Sequence, residues 1–123
     1  LAPILERRGG AAAGRLVFLG HSYGGGTATM CARLHAAAGA ASKVSELVTF
    51  AGPRVGDAAF AECFDRTLGE QATTNLYHDR DPVLAQNQLL WDALGFVHAG
   101  RLLRCSATEP RLLSADEARS GPP

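Results

Sequence analysis

"LVFLGHSYGGGTATM", residues 16–30, decides the fold. Its first part is a short apolar run closed by a glycine, the pattern of a strand buried on both faces. From Tyr23 to about His35 the residues are Ala-, Thr- and Leu-bearing and read as a helix. One hydroxyl, Ser22, stands at the junction among Gly20, Gly24, Gly25 and Gly26. In an open parallel sheet, reactive groups gather in the loops beyond the carboxyl ends of the strands, and Ser22 falls in such a loop.

Working outward, "SELVTFAG" (residues 45–52) reads as a second buried strand and "GPRVG" as the loop after it. Asp57 is placed to cap a helix running through about Leu68, with Phe60, Phe64 and Leu68 spaced by four on one face. "TTNLYH" (residues 73–78) reads as a third strand, ended by a loop at "DRDPV", and "GFVHAGRLLRC" (residues 95–105) as a fourth, partly alternating one. Strands alternate with helical connections long enough for right-handed crossovers, so the expected class is α/β, a mostly parallel sheet with flanking helices. The expected organisation is one unit over residues 1–106, followed by a loose tail over 107–123 that ends in "SADEARSGPP". The opening "LAPILERRGG" reads like the last turns of a helix begun earlier, since basic residues followed by glycine stop helices. The chain is therefore expected to be part of a longer one.

Twelve acidic and twelve basic side chains cancel, so nothing steers the chain toward nucleic acid or an anionic membrane surface. No apolar run approaches the roughly 18 residues a transmembrane segment needs. The compartment stays open. Cys31, Cys63 and Cys105 lie far apart in apolar periodic segments, which points to reduced thiols rather than a disulfide framework or a zinc site.

Gly20-His21-Ser22-Tyr23-Gly24 is a G-x-S-x-G nucleophile elbow. A sharp strand-to-helix turn strains the serine backbone and crowds the helix against the strand, and glycines on either side remove colliding side chains. The hydroxyl is thereby raised at a helix N-terminus, where N–H groups and the dipole favour negative charge. A nucleophilic serine needs a base and an orienting carboxylate, in the chain order Ser, Asp/Glu, His. Asp79 and Asp81 both follow the third strand, and Pro82 pushes Asp81 toward an extended backbone. Of the four histidines, His98 alone follows them, and it lies within an apparent strand.

Three segments in order, "LVFLGHSYGGGTAT", "LVTFAGPRVGDAAFA" and "LYHDRDPVLA", resemble the class 3 (fungal-type) lipase family. That family carries a G-H-S-x-G-G elbow, a strand ending in F-G-x-P-R-V-G, and a strand ending in D-x-V-P or D-P-V-P. The resemblance covers roughly Arg15 to Leu84, and "GFVHAGRLL" extends it toward Leu103. It implies a partial α/β-hydrolase fold, with Ser22 as nucleophile, Asp81 as triad carboxylate and the Tyr23 N–H as half of an oxyanion hole. Tyr23 replaces the usual Leu and Leu84 the frequent Pro, neither of which removes a chemical group. The implied substrates are acylglycerols or related acyl lipids, met at a lipid–water interface, with no metal or organic cofactor. In the family a segment like H-A-G is a structural strand and the catalytic histidine lies downstream, so His98 is read as structural. The expected activity is ester hydrolysis with an apparatus incomplete in this chain. The alternatives are a catalytically inactive module that binds lipid or a partner, and an acyltransferase or thioesterase with a similar elbow.

Overall fold

The computed structural model describes residues 16–39, 44–78, 80–105 and 110–112. The opening "LAPILERRGG" and the closing "SADEARSGPP" lie outside them. Strand β1 (Leu16–His21) alternates half-buried and exposed positions and runs directly through Ser22 into helix α1 (Tyr23–Ala37). There follow β2 (Val44–Phe50), a two-residue strand β3 (Gly56–Asp57) and helix α2 (Ala58–Leu68). As the sequence suggests, Asp57 caps α2, its carboxylate accepting from the Phe60 N–H at 2.9 Å. One 3₁₀ turn leads into β4 (Thr73–His78), which matches its expected span. The chain ends with α3 (Pro82–Ala93), β5 (Phe96–Val97), β6 (Arg101–Cys105) and β7 (Pro110–Leu112).

The main sheet has the order β1-β2-β4-β6-β7; its first four strands are parallel and β7 pairs antiparallel with β6. Each parallel neighbour is reached by a helical crossover, the α/β pattern read from the sequence. β7 extends the sheet past residue 106.

Two segments differ from their sequence reading. "DRDPV" is not simply a loop: Pro82 opens α3, where a missing N–H costs nothing because first-turn donors have no intrahelical partner. The expected fourth strand is two. Gly100 has φ 74°, and a Cβ there would lie 2.5 Å from Thr73 Cγ2, so the chain bends sharply and packs its backbone on β4. Before the bend, β5 pairs antiparallel with β3 in a separate two-stranded sheet; after it, β6 joins the main sheet with Arg101 level with Thr74.

Ala28, Ala32, Leu47, Ala61, Phe64 and Ala99 form one apolar cluster between α1, α2 and the sheet, and Tyr77, Trp91 and Leu102 a second beneath α3. Buried Asn75 links three strands. Its Oδ1 accepts from Thr49 Oγ1 at 2.8 Å, and its amide nitrogen donates to the carbonyls of Ala99 at 2.7 Å and Arg101 at 3.2 Å. A polar group so buried is tolerated because it is fully partnered, and these partners pin the relative register of β2, β4 and β6.

Candidate active site

Ser22 has φ 53° and ψ −129°, a backbone conformation that side chains rarely adopt, at a cost of about 1–3 kcal/mol. The neighbourhood holds it there. Its N–H donates to Phe50 O at 2.9 Å, tying the bend to the end of β2, while its carbonyl accepts from the Gly25 N–H at 2.8 Å. Its side chain makes no capping bond to the helix, which leaves the hydroxyl uncommitted to α1.

The glycines separate into two kinds. At Gly20 a Cβ would lie 2.6 Å from Gly25 Cα, and at Gly25 it would lie 2.9 Å from Gly52 Cα. At Gly26 a Cβ would lie 3.0 Å from Pro53 Cγ and 3.2 Å from Val55 Cγ1. The start of α1 thus rests directly on β1 and on the Gly52–Val55 loop. A Cβ at Gly24, by contrast, would meet nothing within 4 Å, so the collision expected at that flank of the elbow is absent.

Tyr23 is the first residue of α1 and its side chain is 85% exposed. A first-turn N–H has no acceptor inside its own helix, and this turn carries no acidic side chain to offset its positive potential. An anion forming beside Ser22 would meet that potential.

Asp81 lies past the carboxyl end of β4, half-buried, its N–H donating to His78 O at 2.9 Å. Strands β1 and β4 run parallel with β2 between them, so Ser22 and Asp81 leave the sheet at the same end. Two strand spacings separate the strands laterally, roughly 10 Å, a gap that an imidazole and its hydrogen bonds can span. Asp79, the other aspartate the residues allowed, lies outside the described residues.

His98 is placed differently. It immediately precedes the Ala99–Gly100 bend, where the Ala99 carbonyl accepts from Asn75 Nδ2 at 2.7 Å and the Gly100 backbone packs on Thr73. Burial, reinforced by the charge of Arg54, pushes its imidazole down to about 4. An imidazole that stays neutral so far into acid is a weak proton acceptor, which suits packing better than general-base work.

Arg54 went unremarked as an individual residue in the sequence. It is 4% exposed, forms an ion pair with Asp92 at 2.8 Å and stands 5.7 Å from the Trp91 ring centroid. The signal was present in "GPRVG", a charged residue inside a tight loop between buried elements. Among the described residues no group of three His, Cys, Asp or Glu side chains converges as a metal site, and no helix is long and apolar enough to cross a membrane.

The family described as Lipase (class 3) matches residues 4–86. The fold is similar to that of a triacylglyceride lipase from Rhizomucor miehei, with a TM-score of 0.70 and 28% identity over 94% of this chain and 45% of that one. It is similar also to a triacylglycerol lipase whose catalytic centre is a serine protease triad, with a TM-score of 0.66 and 29% identity over 86% of this chain and 42% of that one. Lipase II from Rhizopus niveus, at 22% identity and a TM-score of 0.65, shares the fold. The chain spans less than half the length of these lipases. No curated protein sequence matches.

Proposed function

Because the chain belongs to the class 3 lipase family and carries part of its α/β-hydrolase fold, we propose that it bears the nucleophile and the triad carboxylate of a serine ester hydrolase acting on acylglycerols or related acyl lipids. The observation behind the reading is the backbone of Ser22, held at φ 53° between β1 and α1 with its hydroxyl outside the helix cap. Strain of this kind persists only where the surroundings over-determine it, and it collects at reactive sites.

In this mechanism Ser22 Oγ attacks the ester carbonyl carbon while a histidine takes its proton. The Tyr23 N–H stabilises the resulting oxyanion, a contribution of about 2.7–4 kcal/mol for one such donor. Collapse breaks the bond to the alcohol oxygen, which leaves with the proton from the imidazolium. Water then cleaves the acyl-serine by the same route in reverse, and Asp81 orients the imidazole throughout. The histidine is proposed to come from polypeptide outside this sequence, because His98 resists protonation and adjoins the bend that packs on β4. The acyl lipid is proposed to be met at a lipid–water interface.

The test is hydrolysis of a short acyl ester by the 123-residue chain with and without added imidazole. Slow turnover that imidazole raises, and that Ser22→Ala abolishes, is expected. Turnover unchanged by Ser22→Ala rules out the nucleophile, and lipase-like rates without imidazole rule out the missing base. The alternative of an inactive lipid-binding module takes its support from the same placement of His98. It predicts vesicle binding with no turnover under either condition.

A further inference from the structure

We infer that Arg54 is a positioning residue for Asp81, acting through helix α3. The inference rests on the proposal that Asp81 is the triad carboxylate, and names what holds that carboxylate in place.

Asp81 is joined to α3 without slack, because Pro82 is the first helical residue and its ring fixes φ. Wherever α3 moves, Asp81 follows. Yet the described part of α3 is shallowly rooted: Leu89 and Leu90 are 81% and 56% exposed. Among its described side chains the buried one is Trp91, which enters the cluster with Tyr77 and Leu102. Among the described side chains, this apolar anchor near the far end of α3 fixes one point, and tilt and rotation are set by further contacts.

Arg54 supplies the second anchor. Its Nη1 donates to Asp92 Oδ1 at 2.8 Å and to Phe96 O at 3.1 Å, and its Nη2 to Gln88 Oε1 at 3.3 Å. Gln88 and Asp92 are one turn apart on the same face of α3, so a single planar fork grips two successive turns and the strand that follows. Arg54 is in turn held by its neighbours Pro53 and Val55, which lie against Gly26 of α1. A continuous set of packed groups therefore runs from the helix that follows Ser22 to the helix that follows Asp81. A lysine ammonium has no such fork and cannot reproduce all three contacts in this geometry.

The experiment is amide hydrogen exchange by NMR on the intact chain, comparing Arg54→Met, Arg54→Lys and Asp92→Asn with wild type. A control, Phe64→Leu, weakens the cluster between α1 and α2 instead. The Asp81 amide, bonded to His78 O, and the Leu94 amide, bonded to Leu90 O, report on the carboxylate loop and α3; the Ser22 amide, bonded to Phe50 O, reports on the elbow. Arg54→Met is expected to speed exchange at Asp81 and Leu94 more than tenfold beyond any change at Ser22, with Arg54→Lys and Asp92→Asn intermediate. Phe64→Leu should not single out Asp81. Uniform acceleration at all three amides, or none at Asp81, overturns the inference. Where Arg54→Met does not fold, the other two variants decide by the same comparison. Because exchange is read without turnover, an inactive Ser22 would refute the hydrolase reading and leave this result standing.

Discussion

His98 and Arg54 share a buried region at close enough range for the cation to act on the imidazole, and the histidine accommodates this by remaining uncharged. The consequence for stability has a definite sign. An unfolded chain protonates this side chain near 6.5, whereas the folded protein resists protonation until about 4. Between those values the unfolded state binds more protons, so stability is full above 6.5 and falls as pH drops toward 4. A shift of that size corresponds to about 3 kcal/mol. Asp65 has the opposite tendency: burial raises its carboxyl despite the bond from the Gly100 N–H, so its contribution is present at low pH and lost as pH rises. Denaturant unfolding from pH 7 to pH 4 should show falling stability in wild type and a flatter profile in His98→Gln. Parallel profiles would mean that His98 does not titrate as described.

Among the elements, α1 offers the sharpest comparison, because adjacent glycines with identical propensity face different surroundings. Gly24→Ala adds a methyl to open space and gains up to about 1 kcal/mol of helix propensity. Gly25→Ala forces a methyl against the Gly52 backbone, and overpacking of that kind costs about 1–3 kcal/mol. Thermal melts should therefore move up for the first and down for the second, and movement in the same direction would refute the close seating of α1. The close seating of α1 was legible because the glycine run makes sense only where a helix nearly touches its sheet. β2, β4 and the Asp57 cap were legible from buried runs and turn chemistry. Helix α3 was not, because Leu89 and Leu90 are exposed and blur the apolar stripe that marks an amphipathic helix, while Asp-Pro is common to turns and helix starts. The bend at Gly100 hid inside an apolar run, since its cause is the distant Thr73. At the site, strand–serine–helix spacing pointed to Ser22, but the residues alone left Asp79 and Asp81 equivalent. The grip of Arg54 on α3 joins residues far apart in sequence, which no local pattern records.

For the whole molecule, the strand order advances steadily from β1 through β2 and β4 to β6. Successive right-handed crossovers in one direction place every connecting helix on the same face. The contacts agree: Leu47 meets Phe64 of α2, and Tyr77 and Leu102 meet Trp91 of α3, all from one side of the sheet. By the pairing register the opposite side carries Val17, Leu19, Val48, Phe50, Leu76 and Leu103. Val17, Leu19 and Phe50 are 42%, 65% and 45% exposed there, whereas parallel sheets as a class are covered on both faces. Among the described residues β1 also pairs on one side alone, leaving an open edge next to that apolar face. A surface of this kind favours association between chains. Sedimentation should show the isolated chain assembling as its concentration rises, and Leu19→Lys, which places a charge at the centre of the exposed strand, should reduce that assembly without lowering the melting temperature. A wild-type chain that stays monomeric and melts sharply at high concentration would show that the face is covered in solution.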